Sequence, residues 1–263
     1  MIERAGCMFR GVGFAIACAA SLFSPAIPAA DAADSLTGAQ QMILVITPDW
    51  DSTQASLRRF ERHDGQWQAV SLPQPVVIGK SGAAWGLGLH APQPGPQKRE
   101  GDGRAPAGIF SIGPAFGYAS SVATKLDYQP MTAADYCIDV SDSPLYNQIV
   151  DAGKVGAQAI AGSTEPMRRD LHAAGDPRYK LGFVIAHNAQ RKPGGGSCIF
   201  AHLWKSADSA TAGCTAMAEP IMRELLDWID PTRQPAFVLL PRAEYQRLRQ
   251  TWKLPRLDDN APR

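Results

Sequence analysis

The sequence has little net charge, few charged side chains and no long apolar run after its N-terminal region. It has 26 basic and 25 acidic residues in 263, for a formal net charge of +1. The lysines and arginines are scattered, whereas proteins that bind nucleic acid carry a clustered basic surface. A membrane-spanning helix needs about 20 consecutive apolar residues. We therefore expect no nucleic-acid partner and no membrane span in the mature chain.

Residues 1–32 predict a secretory signal peptide. Arg4 and Arg10 supply positive charge, an uncharged apolar run follows, and Ala30 and Ala32 form an A-x-A-like cleavage site. A retained N-terminal anchor is the alternative, but the apolar run is shorter than a bilayer span. We expect cleavage, and a soluble mature protein in the periplasm or cell envelope.

Cysteine is scarce, and its distribution is informative. Two of the five cysteines lie within residues 1–32, which leaves Cys137, Cys198 and Cys214. In an oxidising compartment an odd number suggests one disulfide and one reactive thiol. Cys137 and Cys198 lie on apolar, strand-like segments, so we expect them to be paired. Three buried free thiols are the alternative.

The pattern of apolar residues predicts a mostly β chain with a few helices and no internal repeats. Residues 92–104 predict a surface loop, and residues 126–176 are irregular. Three segments predict helices, at residues 165–172, 219–229 and 244–252. Strands are predicted at residues 42–46, 55–61, 67–70, 76–78, 108–112, 181–185, 198–203 and 237–240, with a hairpin turn at residues 63–66.

The candidate chemistry lies at His202 and Cys214. His202 is at the end of a predicted strand, and Gly213 precedes Cys214 in a predicted turn. A neighbouring imidazole lowers the pKa of a thiol and so creates the nucleophilic thiolate. Taken alone, Cys214 after a glycine is equally typical of a small buried hydrophobic residue. A zinc site that also used His187 lacks a fourth ligand.

Several motifs together resemble the L,D-transpeptidase catalytic domain, or YkuD family. The first is His202 followed by Thr211-Ala212-Gly213-Cys214. Four more segments are similar to family segments: residues 79–82, 100–110, 143–147 and 194–197. The resemblance runs from about Met42 to Pro241. It implies a YkuD-like β-sandwich-type catalytic domain at residues 42–241, followed by a C-terminal helix and tail at residues 242–263.

The resemblance also implies a role for each motif residue. Cys214 would attack a carbonyl and His202 would take the thiol proton. The backbone carbonyl of Ala212 would orient the imidazole, and the N–H groups of Gly213 and Cys214 would stabilise the oxyanion. No metal or organic cofactor is required.

Four further residues are candidates for substrate binding: Thr211, Asn188, Ser197 and Tyr118. Each of three has a structural alternative. Thr211 is equally suited to brace the turn, Asn188 to make a structural hydrogen bond, and Tyr118 to pack in the core.

One position departs from the family pattern, because Ala216 stands where many members have an arginine two residues after the cysteine. The arginine fork suits a substrate carboxylate. Arg168, Arg169 and Lys180 are candidates to replace it, with surface solvation as the alternative for each.

The implied reaction is cross-linking of peptidoglycan stem peptides, of the 3,3 or 1,3 type, through a cysteine acyl-enzyme. Two alternatives stay open at this point. One is a wall hydrolase, an L,D-carboxypeptidase or endopeptidase, in which water replaces the acceptor amine. The other is a non-catalytic module that binds peptidoglycan.

Overall fold

The computed structural model describes residues 1–2 and 36–257. Apart from its first two residues, the signal peptide predicted at residues 1–32 lies outside the described residues. The last six residues of the predicted tail also lie outside them. No helix within the described residues is long and apolar enough to cross a membrane.

The described chain contains many short strands and few helices. The strands are β1 (Gln41–Thr47), β2 (Gln54–His63), β3 (Gln66–Ala69), β4 (Gln74–Val77), β5 (Ala83–Trp85), β6 (Ala105–Gly117), β7 (Tyr128–Pro130), β8 (Asp135–Cys137), β9 (Ile149–Asp151), β10 (Glu165–Pro166), β11 (Leu181–Ile185), β12 (Phe200–Leu203), β13 (Thr215–Met217) and β14 (Ala236–Pro241). The α-helices are α1 (Ala152–Val155), α2 (Asp170–Ala173), α3 (Glu219–Trp228) and α4 (Arg242–Leu248), with short 3₁₀ turns at Ala157–Ile160 and Pro231–Arg233.

Eight of these strands close into a barrel in the order β1-β14-β6-β11-β12-β13-β4-β2, because β1 pairs with both β14 and β2. The pairs β1–β14 and β12–β13 are parallel, and the other pairs of the ring are antiparallel. A separate three-stranded sheet has the order β10-β8-β9. The mostly β prediction is confirmed, whereas closure into a ring had no signal in the sequence.

Most local predictions agree with the structure. Asp64 and Gly65 both have positive φ (48° and 77°), as a tight hairpin turn between β2 and β3 requires. The predicted helix at residues 165–172 is wrong. Glu165 and Pro166 pair with β8 in the small sheet, and the helix is confined to Asp170–Ala173. Tertiary pairing overrides the weak helical pattern there.

The last segment packs into the main core instead of forming a tail. Helix α4 ends at Leu248, short of the predicted residue 252. Trp252 is buried, with its ring centroid 5.4 Å from that of His90 and 6.2 Å from that of Trp85. Residues 242–257 are therefore part of the same packed body as the barrel.

Strand β12 has one face in each of two hydrophobic clusters. Ala201 and Leu203 pack in the main core. Phe200 packs in a second cluster with Phe116 of β6, and this cluster also contains Met131 and Met167 from the region of the small sheet. Burial on both faces explains the nearly continuous apolar run of this strand. The second cluster is where the candidate site lies.

Candidate active site

The predicted disulfide between Cys137 and Cys198 is confirmed, with Cα atoms 5.9 Å apart. It ties strand β8 of the small sheet to the segment that enters β12. Cys214 is the free cysteine of the described residues. The prediction of one pair and one free thiol therefore holds for the described part of the chain.

The turn that carries Cys214 is held by backbone contacts on two sides. Thr211 and Gly79 form a β-bridge, and the Lys80 N–H donates to the Thr211 carbonyl at 2.8 Å. Gly213 has φ 155°, and a Cβ there would lie 2.9 Å from the Arg104 carbonyl oxygen. Such an approach leaves no room for a side chain. Glycine is therefore required next to the thiol.

The Cys214 thiol is buried, with an exposed fraction of 8%. Its Sγ accepts the Phe200 N–H at 3.3 Å and lies 3.5 Å from the Cys198 carbonyl oxygen, to which it donates. Burial raises the pKa of Cys214 to about 12. The thiol is therefore protonated in the resting protein, contrary to the expectation of a preformed thiolate.

His202 is buried near the end of β12, with its ring centroid 5.9 Å from that of Tyr179. Its Nδ1 lies 2.8 Å from the carbonyl oxygen of Leu203. A proton on Nδ1 donates to that carbonyl and leaves Nε2 as the acceptor. The carbonyl that holds the ring is that of the adjacent Leu203, and no contact of the imidazole with Ala212, the predicted partner, occurs among the described residues. Burial lowers the pKa of His202 to about 4, so the ring is neutral.

The strand register places His202 and Cys214 on one face of the sheet. In the parallel pair β12–β13, His202 lies opposite Ala216, and Cys214 is two residues before Ala216. Side chains two residues apart on a strand point the same way. Cys214 lies one residue before β13, and extending the register by that residue makes the two side chains diagonal neighbours. In the resting structure the thiol bonds to Phe200 and Cys198, not to the imidazole.

One of the two predicted oxyanion donors, the Gly213 N–H, is already engaged within the turn. The Gly213 N–H donates to the Thr211 hydroxyl at 3.1 Å, and that hydroxyl donates to the Cys214 carbonyl at 2.7 Å. Thr211 therefore braces the turn, which corrects its assignment to substrate binding. The other predicted donor, the Cys214 N–H, makes no hydrogen bond within the described residues, and its role stays a prediction.

Asn188 is also structural. It is buried in the left-handed region (φ 51°), where its Nδ2 donates to the carbonyls of Lys192 and Gly196, both at 3.0 Å. Its Oδ1 accepts the Lys192 N–H at 2.9 Å. The side chain holds the loop before β12 and has no free donor to offer a substrate.

Ser197 belongs to a polar network beside the disulfide. Its hydroxyl donates to Glu100 Oε2 at 2.7 Å, and the Tyr146 hydroxyl donates to the same oxygen. The Asn147 Oδ1 accepts the Cys198 N–H at 2.9 Å. Segments far apart in the sequence, all of them quoted above for the family resemblance, thus meet next to the candidate site. Ser197 has a positioning role in this network.

Tyr118 packs in the same cluster as Cys214 and also lines a cavity of about 470 Å³. Its hydroxyl is buried and has no hydrogen-bond partner in the part of the chain that the structure describes, and burial raises the pKa of Tyr118 to about 12. Arg169, Lys180 and Arg223 line the same cavity. Tyr118 therefore keeps its candidacy as a substrate contact, with cationic side chains around it.

Three charged residues that the sequence did not single out shift the pKa of the Cys214 thiol. After burial, the charges that shift the pKa of Cys214 are those of Glu165, which raises it, and of Lys98 and Arg178, which lower it. The Arg178 carbonyl accepts the Leu203 N–H at 3.3 Å, which fixes Arg178 beside the end of β12. None of the three lies in a motif segment, and pairing between distant segments brings Glu165 and Arg178 there.

The zinc alternative finds no support in the contacts of His187. Its Nδ1 accepts the Leu87 N–H at 3.2 Å and its Nε2 lies 3.0 Å from the Gly195 carbonyl. Both ring nitrogens are therefore engaged by the backbone. No group of three or more metal-ligating side chains suited to hold an ion occurs among residues 1–2 and 36–257.

Comparison with protein-family models, with curated proteins and with solved structures found no match for this chain.

Proposed function

We propose that this chain is a cysteine acyltransferase of the L,D-transpeptidase type that acts on peptidoglycan stem peptides in the periplasm or cell envelope. One observation carries the proposal. The free thiol of Cys214, one residue before β13, is a diagonal neighbour of the neutral imidazole of His202 on the paired strand β12, and the His202 Nδ1 is held by a backbone carbonyl. That is the arrangement of a nucleophile, a base and an orienting group.

The first step uses both neutral partners. As substrate enters, the thiol leaves the Cys198 carbonyl and gives its proton to His202 Nε2, while Sγ attacks the substrate carbonyl. The Leu203 carbonyl stabilises the imidazolium through Nδ1–H. The Cys214 N–H donates to the developing oxyanion. Collapse breaks the C–N bond, and His202 returns the proton to the leaving amine.

The second step consumes the thioester. A primary amine of another stem attacks the carbonyl, the new C–N bond forms, and the C–S bond breaks. His202 takes a proton from the attacking nitrogen and returns it to Sγ. With water as the nucleophile, the same sequence releases a carboxylic acid, so the hydrolase alternative differs only in the acceptor.

Arg178 takes the role of the arginine that many family members have at the position of Ala216. Arg168 and Lys180 are each paired with a carboxylate, Asp170 at 2.5 Å and Glu219 at 2.8 Å. Arg178 is also paired with a carboxylate, because its Nε and Nη2 bind Asp176. It differs from Arg168, whose Nη1 binds the Tyr136 hydroxyl, in that its own Nη1 makes no hydrogen bond among the described residues and can bind a substrate carboxylate. The positive charge of Arg178 lowers the pKa of both Cys214 and His202, against the larger effect of burial on Cys214.

The fold assignment is part of the same proposal. The eight-stranded barrel is the form that the YkuD-like β-sandwich-type domain takes in this chain. Its support is that the motif segments at residues 79–82, 100–110 and 194–197 lie against the turn of Cys214 or the network beside it.

One observation favours the non-catalytic alternative. The thiol is 8% exposed, and burial raises the pKa of Cys214 to about 12, so the resting protein is not poised for attack. In a wall-binding module the thiol would stay buried. The two functions therefore differ in whether substrate releases the thiol from the Cys198 carbonyl.

Mass spectrometry of muropeptides separates these functions. The mature protein is incubated with disaccharide-tetrapeptide stems, alongside Cys214→Ala and His202→Gln variants. We expect cross-linked dimers with the unmutated protein alone, and fragmentation identifies the 3,3 or 1,3 linkage. Shortened monomers without dimers would indicate a hydrolase. Unchanged stems in all samples, with stem binding retained, would indicate the binding module.

A further inference from the structure

The small sheet brings one carboxyl group next to the candidate nucleophile. Strand β10 runs antiparallel to β8, and Glu165 lies directly opposite Cys137. Side chains of directly opposed residues lie on the same face of a sheet, with Cβ atoms about 5 Å apart. The Glu165 carboxyl therefore lies on the same face as the sulfur of Cys137.

The disulfide connects this face of the small sheet to the surroundings of the Cys214 thiol. Cys137 is bonded to Cys198, and the Cys198 carbonyl oxygen lies 3.5 Å from the Cys214 Sγ. The covalent link fixes β10 and its carboxyl relative to the nucleophile. Glu165 acts on the pKa of Cys214 more strongly than any other charged side chain does.

Glu165 is partly buried, and its carboxyl is available to bind a ligand. No hydrogen bond or ion pair of its carboxyl occurs among the residues that the structure describes, and its surface remains partly accessible. Its charged neighbours are Arg178, Asp139 and Glu100. Asp139 is bound by Thr164, and Glu100 by Tyr146 and Ser197, so both are already engaged.

We propose that Glu165 forms the binding site for the acceptor, a primary amine on a carbon that also bears a carboxylate, and that it accepts a proton from that amine. This inference rests on the proposed function. An ionised carboxyl is acceptor-only and suits an ammonium group. The remaining donor of Arg178, Nη1, suits the neighbouring carboxylate of the same acceptor. The pair of opposite charges beside the thiol thus fits a zwitterionic amino-acid end.

The acceptor enters as an ammonium, and Glu165 takes one proton to leave a neutral amine with a lone pair. The nitrogen attacks the Cys214 thioester, the C–N bond forms, and the C–S bond breaks. His202 carries the second proton from the nitrogen to Sγ, and the Glu165 proton passes to water. The products are an amide, the free thiol and one released proton.

The electrostatics support this role for Glu165. Burial raises the pKa of Glu165 to about 7, while Arg178 lowers it and Asp139 and Glu100 raise it. A carboxyl with a pKa near neutrality exchanges protons readily at working pH.

The test separates acylation from transfer. The full mature chain is incubated with disaccharide-tetrapeptide stems and a free D-amino acid as the amine. Mass spectrometry then records acylation of Cys214, exchange of the terminal residue, and hydrolysis. We expect Glu165→Gln to acylate at a rate within about twofold of the unmutated chain. We expect its ratio of exchange to hydrolysis to fall at least about tenfold. Glu224→Gln, a surface carboxyl paired with Arg59, is the matched control and keeps the ratio.

A second readout guards against a merely structural effect. In the unmutated chain the ratio of exchange to hydrolysis rises with pH through about 7, and Glu165→Asp keeps part of this rise. An amine without a carboxylate, such as ethylamine, is a poorer acceptor than the D-amino acid. An unchanged ratio in Glu165→Gln overturns the inference alone. Failure of the unmutated chain to acylate overturns the proposed function and this inference with it.

Discussion

Two buried histidines make the stability of this protein sensitive to mild acid. His187 and His202 are 2% and 4% exposed, and burial lowers the pKa of each to about 4 from the ordinary 6.5. Below pH 6.5 the unfolded chain binds these protons more tightly than the folded protein does. Stability is therefore full above about pH 6.5 and falls as the pH drops towards 4.

The size of the effect follows from the two pKa values. Between pH 8 and pH 5, each histidine lowers the free energy of unfolding by about 2 kcal/mol, or about 4 kcal/mol for the pair. His90 adds a loss of the same sign, because burial lowers its pKa too. Urea unfolding followed by circular dichroism at several pH values measures this directly.

Variants isolate each contribution. We expect His202→Asn and His187→Asn each to remove about 2 kcal/mol of the loss between pH 8 and pH 5, whatever their stability at pH 8. His63→Asn is the control, since the side chain of His63 is 50% exposed at the surface. If His202→Asn kept the full pH dependence, then His202 would not be a neutral base, and the proposed first step would lose its proton acceptor.

Three further predictions concern the structure around the thiol. We expect replacement of both Cys137 and Cys198 with serine to lower the free energy of unfolding by about 4 kcal/mol, because the disulfide closes a loop of 61 residues. Urea unfolding measures this loss, and an unchanged midpoint would contradict the prediction. Gly213→Ala forces a Cβ onto the Arg104 carbonyl at 2.9 Å, so we expect a loss of about 1–3 kcal/mol and slower acylation of Cys214, read by mass spectrometry. Tyr118→Phe removes a buried hydroxyl that has no partner, so we expect a gain of about 1 kcal/mol in chemical unfolding; a loss would mean that the hydroxyl has a partner.

Local pattern was enough for several features of the site. The mostly apolar runs predicted the strands that carry Cys137, Phe200 and His202, because most side chains of these strands are buried. The odd number of cysteines predicted the disulfide and the free Cys214. These inferences need only composition, spacing and alternation along short segments.

The orienting and charged groups were not predictable in this way. The carbonyl that contacts the imidazole is that of Leu203. It could not be predicted, because a backbone carbonyl is present at every residue and has no sequence signature. Glu165 was expected on a helix, but it pairs with Cys137 across the small sheet. Arg178 lies beside the site only because its carbonyl binds the Leu203 N–H.

The sequence by itself predicted which side chains are candidates for chemistry and which cysteines pair, since residue type and local spacing are encoded one segment at a time. The tertiary structure decided which charges face the thiol, that both catalytic candidates are neutral at rest, and that the sheet closes as β1 meets β2 and β14. Burial and pairing between distant segments produce these properties, and both exist only after the chain has folded.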